Sequence, residues 1–426
     1  MPRRRRSPST DALHEPPADG LHEAGSALAT APAPSALVPH PDRKEIGRYL
    51  LSRGLDRVDT ASASAAGPAT VTDPLLAAAR PGAIPFPDGL APQPQPLAST
   101  DPNAPLPEAD VVVITWTVDE LAALAKVMTP GVSAAHWQKY ARNFAQYQPN
   151  IRRYAPAQNA RRLGTYQPVQ VGQRRVLCMK SDLHLNQDGI ATGVGTATLP
   201  VKDFFHQIIA EAKPSLILTI GTAGSVFERF ALGDVVVTRA AKFRLSQEFR
   251  NEPFNGQTYR SEWPLPSREA MRPAVTLMHL FADDLIEPPF APPTKRFRFS
   301  SEPIQAPGNR PDLRLDGDDM PEFHPILTTD YFEYGTSANR LDREGAAVEM
   351  GDAALGLACS ELADPPRWAA VRNMSDPVIN GDLPAKDFHL NEQTTWAVGY
   401  YTAYGHYTSI VGALAAWGIV TSADNI

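Results

Sequence analysis

The stretch Pro214–Arg239, PSLILTIGTAGSVFERFALGDVVVTR, decides how this 426-residue chain is read. Leu216, Ile217, Leu218 and Ile220 form a short, almost unbroken apolar run, the pattern of a strand covered on both faces. The run gives way to Gly221, Thr222, Ala223, Gly224 and Ser225. Small residues there let a backbone turn sharply and bring its N–H groups, with the Thr222 hydroxyl, close to a ligand. Gly233 and Asp234 then open a second, β-branched run, Val235–Thr238. The expected motif is strand, glycine-rich turn, loop, strand, which by itself suits a plain tight turn as well as a binding loop.

Working outward, Asp110–Thr115 reads as a first buried strand. Val118–Val127 has the apolar spacing of a helix with Thr117 as N-cap and Asp119 and Glu120 in its first turn, where the helix dipole favours acids. Arg175–Lys180, Ile326–Asp330 and Ala369–Met374 read as further strands. A small-residue turn, Gly193–Pro200, leads into a helix Val201–Ala212 whose Phe204, Phe205, Ile208 and Ile209 form a core stripe, with His206 off it. His136–Gly172 is arginine-rich and reads as a solvated or oligomer-facing surface. Glu392–Trp417 predicts a long C-terminal helix with an aromatic packing face. This order of elements predicts an α/β fold, a mixed, mostly parallel central sheet with helices on both faces.

Composition divides the chain. Roughly eighteen of the 42 prolines precede Leu106, among Ala, Ser and Gln stretches, a composition that buries too little apolar surface to offset its ordering entropy. Residues 1–105 are therefore expected to be a disordered tail, with a short helix around Arg43–Leu55, and 106–426 a single domain. A net charge of −7 and a pI near 5.8 give no electrostatic reason to expect nucleic acid as a partner. No apolar run is long enough to span a bilayer, and the Arg3–Arg6 cluster is followed by no apolar signal segment. Cys178 and Cys359 both lie in apolar sequence, which suits reduced thiols in the cytoplasm. No metal-ligand spacing is present, and neither a metal nor another cofactor is expected.

Four segments together carry a family likeness: DVVVITWTVDELAAL (Asp110–Leu124), GTAGS with LGDVVV, GAAVEMGDAALGLAC (Gly345–Cys359) and AAVRNMSDPVIN (Ala369–Asn380). In this order they resemble the nucleoside phosphorylase and nucleosidase superfamily, which includes purine and uridine phosphorylases and methylthioadenosine/S-adenosylhomocysteine nucleosidases. The resemblance covers about 106–245 and 325–426. It makes the Pro-rich stretch 245–324, with a helix Arg268–Ile286 and the basic-aromatic run Lys295–Phe299, an insertion that caps the site or enlarges an oligomer interface. It implies a homo-oligomer acting on a small nucleoside or nucleotide.

The resemblance also implies roles. Asp376 would donate a proton to N7 of the departing purine, which requires burial to raise its pKa. Glu120 would activate the attacking water. Glu349 and Met350 would hold the sugar, Phe332 would stack on the base beside Ser375, and Gly221, Thr222, Ala223 and Gly224 would form the nucleophile or phosphate pocket. Two departures stand out. Gly351 occupies the place of a second glutamate that grips the ribose hydroxyls, leaving Asp352 or Glu349 to take its part. Thr219 stands where phosphorylases carry a phosphate-holding arginine. The expected activity is hydrolysis of a purine nucleoside or nucleotide N-glycosidic bond. A phosphorylase drawing an arginine from 142–175 or from a neighbouring subunit, and a nucleoside-binding sensor that has lost catalysis, are the alternatives.

Overall fold

The computed structural model describes residues 83–285, 303–304, 310–385 and 391–423. The proposed helix at Arg43–Leu55 and the run Lys295–Phe299 lie outside these residues. The described strands form one 13-stranded sheet: β1 (Gln93–Pro94), β2 (Val111–Thr115), β3 (Gln138–Tyr140), β4 (Gly164–Val171), β5 (Arg174–Ser181), β6 (Leu216–Ser225), β7 (Val235–Thr238), β8 (Ala240–Phe243), β9 (Thr258–Arg260), β10 (Leu313–Leu315), β11 (Ile326–Thr328), β12 (Ala347–Glu349) and β13 (Arg367–Asp376). The longer helices are α1 (Val118–Met128), α2 (Pro200–Ala212), α3 (Arg272–Met278), α4 (Ala353–Ser360) and α5 (Glu392–Ser422).

One path through the sheet runs β1-β4-β5-β2-β6-β12-β11-β8-β9, with β13 pairing both β6 and β7. Parallel pairing holds its centre, where β5, β2, β6 and β13 run together. Antiparallel pairs join the β1, β3 and β4 edge, and also link β6 to β12 and β13 to β7. Alternation along β2 divides the interior. Val111 and Val113 enter a core with α1 and α5. Val112 and Ile114 enter the opposite core with α2 and α4. A strand apolar on both faces is therefore sandwiched between helical layers, as its continuous run requires.

Strand β6 positions the site. One edge pairs with β2 only as far as Thr219, and pairing with β12 begins at Gly224. The edge is thus open across Ile220–Ala223, while the other edge stays paired with β13 throughout. The expected glycine turn is corrected here. GTAGS is extended strand, because Gly221–Gly224 pair with β13 and Ser225 with β12.

Other boundaries also move. Residues 83–105, grouped by composition with the tail, include β1 paired to β4 and Phe86 against Trp417, ring centroids 5.1 Å apart. The 136–172 region is not a solvated surface throughout. It supplies β3 and β4, and buries Arg162 against Asp182. The 245–324 stretch contributes β10, parallel to β7. Its helix is shorter than expected, because Arg272–Met278 continues as a 3₁₀ turn, His279–Leu285.

Candidate active site

A cleft with about 580 Å³ of empty space, part of it open to solvent, sits where the edge of β6 opens. It lies at the carboxyl ends of β2, β6 and β13, the position at which open α/β sheets receive ligands. Of the residues singled out from sequence, Glu120, Thr222, Ala223, Gly224, Phe332, Glu349, Met350, Ser375 and Asp376 line it. Gly221 and Asp352 do not; they pack behind it.

Helix α1 starts with a capping box. The Thr117 hydroxyl accepts from Glu120 N (3.3 Å), and Glu120 Oε2 accepts from Thr117 N (2.9 Å). The same oxygen accepts from Thr115 Oγ1 (2.7 Å) and Trp116 N (3.1 Å). Oε1 reaches across to the open edge of β6, accepting Thr222 N (2.8 Å) and Thr222 Oγ1 (3.0 Å). Burial alone would raise the pKa of this carboxyl. The Arg372 charge and the donors from Thr117, Thr222 and Thr115 outweigh burial and hold it below the ordinary glutamate value. Gly221 is needed for this approach. A Cβ there would lie 2.6 Å from Glu120 Oε1 and 2.6 Å from Arg372 Nη1.

Arg372, on β13, is the hub. Its Nε donates to Asp352 Oδ2 at 2.7 Å and its Nη2 to Asp352 Oδ1. Nη2 also stands 3.2 Å from Glu349 Oε2. Both side chains of the Arg372–Asp352 pair are buried. Asp352, named from sequence as one substitute for the missing glutamate, thus lies behind the cleft lining with both carboxylate oxygens accepting from Arg372. Glu349 faces the cleft, but its oxygens accept from Thr328 Oγ1, Asp352 N (2.9 Å) and Gly351 N (2.5 Å). Burial and the Asp352 charge raise its pKa, against the pull of Arg372.

Asp376 sits in the opposite electrostatic setting. A register shift between Met374 and Asp376 places it against Gly224 of β6, the kind of bulge that re-aims a side chain. Its Oδ1 accepts from Ser375 Oγ at 2.9 Å, whereas Oδ2 is buried with no partner among the described residues. Burial pushes its pKa up to about 7, opposed only by the Ser375 hydroxyl. Phe332 is buried and lines the cleft, its ring centroid 6.0 Å from that of Tyr334.

Over residues 110–397 the sequence matches the family model described as the phosphorylase superfamily. The chain belongs to the phosphorylase superfamily. Members of this kind are enzymes, N-glycosyl hydrolases or pentosyltransferases. No curated protein matches the chain. Solved structures similar to it include the methylthioadenosine/S-adenosylhomocysteine nucleosidase of Neisseria meningitidis in complex with methylthio-immucillin-A, at 14% identity over 74% of this chain and 99% of that one, TM-score 0.39. Another is the futalosine hydrolase of Helicobacter pylori, at 11% identity over 74% and 97% of the two chains, TM-score 0.41.

Arg372, Trp116 and His184 are among the cleft residues of this phosphorylase-superfamily member that escaped the sequence reading. Arg372 had a legible signal, a lone charge inside an apolar strand, which burial permits only with partners. Trp116 also had one, as a large ring at the carboxyl end of β2. His184 had none. It follows β5 in a loop, its ring 6.2 Å from that of Trp116 and edge-on to it. Burial lowers its pKa to about 3, with Glu120 opposing and Arg372 adding, so it is neutral at pH 7.

Among the described residues no helix is long and apolar enough to cross a membrane. Nor do three or more His, Cys, Asp or Glu side chains among them gather where they could hold a metal ion.

Proposed function

We propose that this enzyme cleaves the N-glycosidic bond of a purine nucleoside or nucleotide with water. The observation that carries the reading is Asp376, a buried carboxyl with a pKa of about 7 and an unpartnered Oδ2, in the same cleft as the ionised Glu120. Two carboxyls with pKa values pushed apart are the arrangement that acid and base work at one pH requires. As the C1′–N9 bond breaks, its electron pair passes to the purine and Asp376 supplies the proton that neutralises it at N7. Water adds to C1′ and gives up its proton toward Glu120. Oε1 is the oxygen suited to this, because one of its two donors, the Thr222 hydroxyl, can rotate away. The excess of carboxylates around Arg372 favours the positive charge that develops on the sugar. Phe332 packs on the base and Met350 on the sugar.

Water rather than phosphate is favoured by the cations present. The one guanidinium or ammonium lining the cleft among the described residues is Arg372, held by Asp352 and Glu349. Arg142, Arg152 and Arg162, from the region that a phosphorylase would draw on, pair instead with Glu211, Glu248 and Asp182. His184 is neutral, and a divalent anion needs charged donors. A cytoplasmic homo-oligomer acting in purine metabolism belongs to the same reading. Both of its thiols are buried, and burial pushes that of Cys359 up to about 12.

The test is release of free base from a panel of purine nucleosides and nucleotides, with and without phosphate, by wild type and Asp376→Asn. Release that ignores phosphate and is lost in the variant is the expected result. Release only with phosphate, giving a sugar 1-phosphate, would make the enzyme a phosphorylase. Binding of nucleosides without any release would make it a sensor.

A further inference from the structure

The polar atoms of the cleft are almost all committed to one another. Glu120 accepts five hydrogen bonds. Glu349 accepts three and faces the Arg372 guanidinium as well. The Thr222 and Thr329 hydroxyls donate to Glu120 and to backbone carbonyls. Two buried side-chain atoms of cleft-lining residues have no partner among the described residues, Asp376 Oδ2 and Trp116 Nε1. The first is the acid of the proposed reaction. The second is an indole N–H, which can only donate. An unmet donor in a buried position costs free energy until an acceptor arrives.

The ring that carries this N–H is held on several sides. The Arg372 guanidinium carbon lies 4.9 Å from its centroid, and His184 meets it edge-on. On another side lies Gly351, where even a Cβ would come only to 3.5 Å from Cζ2 and 3.6 Å from Cε2. The backbone N–H of Trp116 donates to Glu120 Oε2, which ties the residue to the Glu120 and Arg372 end of the cleft. A cation over the ring draws electron density from it and makes its N–H a better donor.

We infer that the Trp116 indole N–H is a specificity-determining donor that bonds an oxygen of the substrate's sugar. This rests on the reading of the cleft as a nucleoside site: with the base at Asp376, the sugar lies at the end where Glu120 polarises water, and that end is where Trp116 stands. A corollary follows from the filled carboxylates. Apart from Glu120 Oε1, which the Thr222 hydroxyl yields to water, protein donors at this end already occupy the oxygens that would otherwise receive a sugar hydroxyl's proton, so the hydroxyl is read chiefly by its lone pairs.

The experiment compares wild type with Trp116→Phe, which keeps an aromatic ring against Arg372 and Gly351 and deletes the N–H. Dissociation constants are measured, with Asp376→Asn introduced into both proteins to stop base release, for adenosine and inosine, for the 2′-, 3′- and 5′-deoxy form of each, and for free adenine. With Trp116 intact, one deoxy position is expected to weaken binding about tenfold, equal to ~1.4 kcal/mol. In Trp116→Phe the parent nucleoside weakens by that same factor, the sensitivity to that position disappears, and adenine binding is unchanged. Equal binding of every compound by both proteins overturns the inference, as does uniform weakening that includes adenine, which marks a packing role. If wild type binds adenine but no nucleoside, or nothing at all, the functional reading itself fails and takes the inference with it. A second readout needs no change at Trp116. Among the six tryptophan indole N–H proton resonances of the Asp376→Asn protein, one moves downfield with the parent nucleoside and stays put with the deoxy form that binds weakly. No indole shift with any bound nucleoside overturns the inference.

Discussion

Arg372 and Asp352 meet through two hydrogen bonds in the interior, Nε to Oδ2 at 2.7 Å and Nη2 to Oδ1, with side chains 3% and 1% exposed. Asp352 thereby fixes the guanidinium that helps hold the Glu120 pKa down and opposes the rise in that of Glu349. Removing one partner of such a pair leaves the other charge buried. Asp352→Asn is expected to lose about 3 kcal/mol in urea unfolding, with Glu349 at 3.2 Å limiting the loss. Removing both charges, as Asp352→Leu with Arg372→Met, should cost less than the sum of the singles. Additive losses would mean that the pair is not coupled.

Asp376→Asn separates function from stability. Base release should fall by roughly 10²- to 10⁴-fold while nucleoside binding persists. Burial pushes its folded pKa to about 7, above the 3.8 of a free aspartate side chain, so the folded state holds the proton more tightly. The stability this gives is complete below 3.8 and is lost as pH rises through about 7. The asparagine variant avoids burying that charge. Its melting temperature should therefore exceed the wild-type value at pH 8, with the gain fading toward pH 4. A constant difference across that range would remove Asp376 as the perturbed group.

The pH profile of kcat/KM should be a plateau with two limbs. The proposed mechanism requires Glu120 ionised and Asp376 protonated. Glu120 is depressed below 4.5, so the acid limb falls beneath that value, where the stability given by its hydrogen bonds is also lost. Asp376 sets the alkaline limb near 7. Activity holding level to pH 9 would dismiss Asp376 as the acid.

Two glycines should respond in opposite ways. At Gly221 a Cβ would meet Glu120 Oε1 and Arg372 Nη1 at 2.6 Å each. Gly221→Ala must push the two groups apart, costing about 1–3 kcal/mol and most of the activity. At Gly351 the nearest atoms to a Cβ are at 3.5 Å, an ordinary contact, so Gly351→Ala should fold and turn over much as wild type does. Thermal melts and base-release rates on the two variants, side by side, check the contrast.

The sequence by itself determined the elements whose cause is local. The apolar run of β2 is legible in five residues, Val111–Thr115. The start of α1 is legible in the Thr117–Glu120 pair, because a capping box closes within one turn. The ordered motifs around 120, 222, 349 and 376 likewise brought most of the cleft lining into view before any coordinates. Tertiary structure decided what depends on partners far along the chain. GTAGS has the composition of a turn, yet it is strand, because β13, some 150 residues later, pairs with Gly221–Gly224 and β12 pairs with Ser225. Nothing at 372 announces that carboxylates from 120, 349 and 352 will converge on it, nor that Asp352 will be taken up there. Charges that are independent when solvated become coupled once burial removes the water between them. The same removal of water pushed the Asp376 carboxyl toward neutrality and left the Trp116 indole without an acceptor among the described residues.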